Sequence, residues 1–389
     1  MASRATAPTA EARESAQLPL APELRFTERD WRDFDTPVLT ARWDALAHWA
    51  VEPNPFYESW YLLPSLRALD PAGKVVLLCL EADGELAGLI PVRRQLWYYG
   101  HPLPHLSGWA HANCFLGAPL VARGCEGVFW RALFAWADRQ AGLGLFLHLP
   151  HIPRAGTLYE ALCKALAFEG RPAAIVHEEQ RALLASNLSS ESYLEETLTA
   201  KKRKELRRQQ RRLAEEGRLE VERTDGSEGL EQWIGQFLAL ESSGWKGTSG
   251  SALASSPATA RIFAQALQGA AARGKLERLS LLFDGRPIAM LATFLTPPGA
   301  FSYKTAFDED FARFSPGVLL QLENLGLLER PDVAWCDSCA GADHPMIDHL
   351  WRERRTVVRV NIAIGGPVRR ALFRAIAAKE TGRSPGELA

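Results

Sequence analysis

The sequence contains no apolar run approaching the roughly 18 residues that a membrane-spanning helix requires, so its 389 residues are expected to fold in water. It has almost no net charge, with 45 Lys and Arg against 46 Asp and Glu. That balance gives no bulk attraction for polyanions, and no nucleic-acid partner is expected. Cysteine is sparse. Cys79, Cys114, Cys125, Cys163, Cys336 and Cys339 are too few for the disulfide framework of a small secreted domain and read as reduced thiols. Cys336 and Cys339 form a CxxC, but no second ligand pair stands out to complete a zinc site, and no metal is expected. Residues 1–22 lack the apolar core of a signal peptide. They are small, polar and proline-containing, which predicts a disordered leader and a cytoplasmic protein.

The length exceeds the size at which one hydrophobic core keeps growing, so two domains are expected. Self-similarity supports this. Residues 75–92 and 276–294 each read as strand, Asp-Gly turn, strand, about Asp83-Gly84 and Asp284-Gly285. An apolar strand (114–121), a helix (126–140) and a strand (143–150) follow the first turn. A strand (300–307), a helix beginning near Ser315-Pro316-Gly317 and a strand (332–339) follow the second. Two helical segments precede each hairpin. Each half thus reads α-α-β-β-β-α-β, an α/β class with a mixed sheet, and strand-helix-strand implies a parallel crossover. The expected domains are 23–185 and 186–389. The second opens with a basic helix over 193–217, where Leu194, Leu198, Leu206 and Leu213 make a narrow apolar seam. The cationic block from Lys201 to Arg212 reads either as an anion-facing surface or as a solvated linker balanced by its glutamates.

The order of hairpin, strand, Gly-turned helix and strand resembles the GNAT acetyltransferase superfamily. Duplication with a basic helix before the second copy resembles its FemAB-like tandem members, and most nearly the CelD/BcsL-type acyltransferases. Residues 202–208, 212–217, Leu240-Glu241, Trp245-Lys246, 284–289, 303–308 and 315–320 carry this resemblance, over about 190–345. The segment from Asp337-Ser338-Cys339-Ala340 through His344-Pro345-Met346-Ile347 to Leu350-Trp351 and Arg354-Arg355 is similar to bacterial ceramide-synthase-type members. The resemblance implies a tandem GNAT-like fold and an acyl-CoA-dependent N-acyltransferase. Its narrower form implies a fatty acyl group passed to the amine of a sphingoid-base-like lipid. The alternatives are acetylation of a sugar amine or hydroxyl in polysaccharide synthesis, and a non-catalytic binding protein that keeps the fold.

The cofactor candidate is the turn at Ser315. Proline suits the first helical position, and glycine allows close backbone approach. The N–H groups of Gly317, Val318, Leu319 and Leu320 are expected to face an anion, with Arg313 adding charge. The superfamily's usual turn is Gln/Arg-x-x-Gly-x-Gly/Ala, whereas this one has a single glycine at shifted spacing. In the first copy the corresponding helix opens at Gly124-Cys125-Glu126-Gly127, where an acidic residue repels phosphate, so acyl-CoA is assigned to the second copy alone.

Transfer to an amine requires a base, an oxyanion donor and a proton for the leaving thiolate. Candidate bases are Glu241, Asp337 and His344, and Tyr303 or Lys304 are candidate donors. Trp245 and Lys246 lie in a glycine-flanked segment, 244–250, that reads as a lid over substrate. His105 and His111, within a group that includes His101, His148 and His151, are candidates for the acceptor wall. Pro102, Pro104 and Gly108 argue against a helix that would align His101 with His105 as metal ligands. Residues 365–383 read as an amphipathic helix with Val368, Leu372, Phe373 and Ile376 on one face. It suits either its own domain or peripheral contact with an inner-membrane surface.

Overall fold

Both Asp-Gly pairs form tight turns in the computed structural model, which describes residues 23–386 and Leu388. Asp83 and Gly84 have φ of 50° and 82°, and Asp284 and Gly285 have 51° and 75°. Two successive left-handed residues match the twist of the flanking strands, and glycine takes that conformation without steric cost. The expected leader, 1–22, lies outside the described residues.

The first unit runs β1 (Leu24–Asp30), α1 (Pro37–Trp49), α2 (Ser59–Leu69), β2 (Val75–Ala82), β3 (Glu85–Gln95), β4 (His105–Gly108), β5 (Leu120–Val121), α3 (Glu126–Gln140) and β6 (Phe146–Pro153). There follow α4 (Thr157–Phe168), β7 (Ala173–Leu184), α5 (Ser190–Thr197) and α6 (Ala200–Glu216). The second unit runs β8 (Leu219–Asp225), α7 (Leu230–Ser243), α8 (Trp245–Thr248), α9 (Pro257–Ala271), β9 (Leu276–Phe283), β10 (Arg286–Thr296), β11 (Gly299–Phe307), α10 (Pro316–Asn324) and β12 (Trp335–Asp337). Then come β13 (Glu353–Ala363) and α11 (Pro367–Thr381).

The duplicated mixed sheet is present. β1 to β4 are successive antiparallel neighbours, and β6 joins β4 in parallel. β8 to β11 repeat this, and β12 joins β11 in parallel. The first unit therefore has two strands, β1 and β4, that the sequence pattern does not indicate, and the second has one, β8; β7 and β13 are further strands. The expected strand over 114–121 is reduced to Leu120–Val121, and β4 is the parallel partner of β6. Its local reason is Asn54, whose amide donates to the carbonyls of Leu116 and Ala118 and holds them out of a ladder.

The units exchange strands. β13 follows the second unit in sequence but lies antiparallel between β6 and β7, and β7 pairs with β12. Thirteen strands of the described residues form one sheet. Helix α2 of the first unit packs on α9 of the second. Gly269 makes this approach possible, since a Cβ there would fall 2.8 Å from the Trp60 Cβ. The basic segment forms two helices rather than one. Leu198 leaves the helix, and the Thr199 side chain accepts the Lys202 N–H to start α6. The seam holds: Leu206 and Leu213 are buried, and Leu194 packs beside Leu198.

Candidate functional site

β11 carries the centre of the site. Opposite β10, Ala292 faces Lys304 while Thr293 faces Ser302, so Tyr303 is an extra residue in the ladder. A bulge of this kind re-aims side chains. Tyr303 stacks on Phe294 at 4.6 Å, and its hydroxyl lies 3.2 Å from that of Tyr61 in the first unit. Burial holds the Tyr303 phenol above its ordinary range. Tyr61 donates to the Asn113 carbonyl and stacks on His111 at 5.9 Å. His111 Nδ1 accepts the Asn113 N–H at 3.3 Å, while its Nε2 is buried without a partner. Burial, aided by the charge of Lys304, lowers the His111 pKa to about 4, so this imidazole is neutral.

Lys304 is the only residue of this group that holds a charge close to neutrality. Its Nζ lies 5.0 Å from the Phe115 ring centroid and has no hydrogen-bond or ion-pair partner among the described residues. Burial, followed by repulsion from Lys246, lowers its pKa to about 8. Its strand has an open edge. β12 pairs only with Gly299 to Phe301, so β11 has no strand neighbour on that side from Ser302 onward.

The expected bases fare differently. Glu241 is buried, with one carboxylate oxygen 3.0 Å from Lys246 Nζ and the other accepting the Leu253 N–H at 2.8 Å. Asp337 is buried between Arg355 Nη1 at 3.2 Å and the Cys339 N–H at 2.8 Å. Arg355 also pairs with Glu52. Both carboxylates are fully engaged in holding their own surroundings. His344 Nδ1 is buried without a partner, and burial lowers the pKa of the ring.

The cofactor turn also differs from expectation. Pro316 starts α10, and Ser315 before it is left-handed, with φ of 53°. That is a strained conformation for serine. The N–H groups of Val318 and Leu319 donate to the Ser315 carbonyl, which removes two of the four donors expected to face an anion. The Leu319 and Leu320 side chains are buried in the core. A Cβ on Gly317 would fall 2.6 Å from Met346 Sδ, so the loop after β12 covers this turn. Arg313 donates to Glu216 on α6 at 2.6 Å, which brings the basic helix beside the turn. In the first unit, the Glu126 carboxylate accepts the Gly124 N–H at 3.1 Å and fills the matching helix start, as its charge implied.

The expected lid is a helical turn, α8. Lys246 anchors it to Glu241 and to the Thr305 carbonyl at 3.2 Å, and the Trp245 N–H donates to Glu309 at 2.7 Å. The Trp245 indole is exposed and borders a cavity of only about 20 Å³ with Lys246, Thr305 and Phe307. His105 and His111 do share a wall. With His148 and His151 they line a cleft of ≈ 450 Å³. His105 Nδ1 lies 2.9 Å from the Leu103 carbonyl, and His148 Nδ1 lies 2.7 Å from Asn361 Oδ1. A second cavity of ≈ 730 Å³, mostly apolar, is bordered by Leu103, Val176 and Ile376. The two share Tyr98, Tyr99 and Arg359.

Sequence reasoning missed Tyr61, Asn113 and Arg359. Tyr61 and Asn113 leave no local pattern, since their roles depend on partners far along the chain. Arg359 does leave one: it is a lone cation inside the apolar run Val357-Val358-Arg359-Val360.

Residues 200–344 match the family model described as Acetyltransferase (GNAT) domain. A search of curated proteins gives no match. The chain is similar in structure to FemX, at 11% identity and a TM-score of 0.53, covering 87% of this chain and 98% of that one. It is similar to the C-terminal domain of a putative lysylphosphatidylglycerol synthetase from Agrobacterium fabrum, at 13% identity and 0.51, covering 89% and 98%. It is also similar to a conserved protein of unknown function from Bacteroides thetaiotaomicron VPI-5482, at 10% identity and 0.54, covering 83% and 97%. At these identities the likeness is one of fold. The family match spans α6 to the loop after β12 and contains Lys304 and Gly317, so it is the second unit that is similar to a GNAT acetyltransferase domain, an acyltransferase unit within a tandem GNAT-like fold.

Proposed function

We propose that this protein transfers an acyl group from acyl-CoA to the amine of a lipid of the sphingoid-base kind, at the junction of its two units. The observation that carries this reading is Lys304, an unpaired amine with a pKa near 8 on the open edge of β11, within the GNAT domain and beside the histidine cleft. An acceptor ammonium must lose a proton before it can attack a thioester, and an amine titrating near the working pH suits that transfer. The acceptor nitrogen forms the amide bond as the C–S bond breaks. Lys304 takes the proton from nitrogen and returns it to the departing thiolate.

The residues fit the donor in three respects. The pantetheine arm carries amides, which match the unpaired backbone of β11 from Ser302 onward. The Gly317 N–H faces the covered turn at α10, and its use requires Met346 to move. Lys201, Lys204, Arg207, Arg208 and Arg212 are exposed on α6, whose last residue, Glu216, meets Arg313 ahead of that turn, and this helix supplies positive charge for phosphates. Acyl-CoA is a substrate here, and the chemistry it brings is the activated thioester.

The cavity of ≈ 730 Å³ favours a lipid on the acceptor side. Among the described residues no helix is long and apolar enough to cross a membrane. Peripheral contact with the inner membrane would run through the exposed Leu96, Trp97, Val368 and Leu372. Phe373 and Ala377 of the same helix, α11, are buried against the body of the protein. One observation favours a second reading, acetylation of a sugar amine: the cavity between α8 and β11 is only about 20 Å³, with no room for a long acyl chain.

A thiol-release assay across acyl-CoA chain lengths, with lipid amines and amino sugars as acceptors and product masses read out, tests both. Release of thiol with a lipid amine and a matching amide mass is expected. Turnover confined to acetyl-CoA with amino sugars would replace the first reading by the second, and no turnover with any amine would remove both.

A further inference from the structure

Among the described residues Arg359 has no carboxylate partner. Its Nη1 donates to the Tyr99 hydroxyl at 2.7 Å, its Nε is buried without a partner, and it has no ion pair among the described residues. A guanidinium with idle donors at a cavity wall is costly unless an anion completes it. The surrounding sheet is shaped to expose it. β6 slips register as Val358 and Val360 face Ile152 and Leu149, and β7 slips as Arg359 and Val360 face His177 and Ile175. Bulged strands therefore flank Arg359 on both sides, and His151, inside the first bulge, holds a left-handed φ of 50°.

The position of Arg359 matters as much as its charge. It borders the histidine cleft on one side and the larger apolar cavity on the other. His148 and His151 are neutral in this setting. Burial, with Arg359 contributing, brings both to about 4. The cleft therefore presents one cation among neutral imidazoles, and His111, in the same lining, has its Nε2 buried without a partner.

We propose that Arg359 binds an anionic group, a carboxylate or a phosphate, on an amphiphile whose apolar chain fills the cavity of ≈ 730 Å³ and whose head lies in the histidine cleft. This rests on the acyl-transfer reading only for the amine that the same head would bring toward His111 and Lys304. Within that reading the acceptor is an amino lipid of the sphingoid-base kind whose head also carries an acid group.

Binding is tested on the full chain without acyl-CoA, by calorimetry below the micellar range. The probes are dodecyl phosphate, dodecanoate, a neutral dodecyl glycoside, dodecyltrimethylammonium and inorganic phosphate. One anionic chain should bind per protein, roughly 10- to 100-fold tighter than the neutral or cationic chains, as expected for a hydrogen-bonded charge pair. Inorganic phosphate should bind far more weakly, because it leaves the apolar cavity unfilled. The two anionic probes decide between phosphate and carboxylate. Arg359→Gln should remove the preference for anionic chains while keeping the neutral-chain affinity. Equal affinity for all chains in the parent protein, a measurement that needs no variant, would overturn the proposal, as would an Arg359→Gln protein with undiminished anion preference. A single-chain amino lipid bearing a phosphate that binds as described but is never acylated by any acyl-CoA would sink the acyl-transfer reading and leave this site standing.

Discussion

The hydroxyl of Tyr61 lies 3.2 Å from the hydroxyl of Tyr303, although 242 positions separate them in the chain. One belongs to α2 of the first unit and the other to the bulge of β11 in the second. This contact joins the two units. Tyr61 also supports His111, which lines the histidine cleft, while Tyr303 precedes Lys304. Neither unit alone contains the whole constellation, and in the first unit Glu126 accepts the Gly124 N–H at its own helix start.

Lys304 gives a pH dependence of defined sign. Its pKa is lowered to about 8, so the amine is neutral above that value and protonated below it. kcat/KM should therefore fall about tenfold per pH unit below 8 and level off above it. Lys304→Met should remove this limb and lower the rate by about 10²- to 10⁴-fold. A pH–rate profile of both proteins checks this; an unchanged limb in the variant assigns the base to another group.

Asp337 is expected to act on stability before catalysis. Asp337→Asn leaves Arg355 with Glu52 as its remaining carboxylate partner in a buried setting. Breaking such a pair costs about 3–5 kcal/mol. Urea unfolding should show this loss, while the folded fraction keeps its kcat. A large fall in kcat at unchanged stability would restore Asp337 as a base.

Gly317→Glu should abolish CoA binding in a folded protein, because a carboxylate would stand where the phosphate approaches α10. Gly317→Ala should be mild, since the atom its Cβ meets is the flexible end of Met346. Thermal shift with added CoA separates the two. Normal CoA binding by the Glu variant would remove the phosphate site from this turn.

His111, His148 and His151 set the acid limit of the fold. All three have pKa values lowered to about 4 by burial, against about 6.5 when unfolded. The unfolded chain therefore binds more protons between these values. Stability is fully present above pH 6.5 and is lost as pH falls toward 4, by at most about 1.4 kcal/mol per pH unit for each histidine. Urea midpoints from pH 7.5 to 4.5 measure the slope. A flat midpoint over that range would show that these rings ionise freely in the folded protein.

Much of the second unit is legible in the sequence because its signals are local. The Asp-Gly turn, Pro316 at a helix start and the leucine seam of α6 each need only near neighbours, and each sits as expected. Lys304 and Tyr303 stand out through the family order, and in the structure Lys304 is buried while the Tyr303 hydroxyl meets that of Tyr61. Glu241 and Asp337 are equally visible, but a sequence does not show that Lys246 and Arg355 occupy their oxygens. Nor does it show that Met346 covers Gly317.

The sequence by itself determines the repeated unit, the α/β class and the location of the GNAT domain, because hydrophobic period and turn chemistry act over a few residues. Only the tertiary structure decides that the units share one sheet, with β13 inserted between β6 and β7. That exchange carries Arg359 from the end of the chain to the histidine cleft of the first unit. Strand pairing at such separations depends on closing a long loop for the burial it gains, and no local pattern encodes the choice of partner.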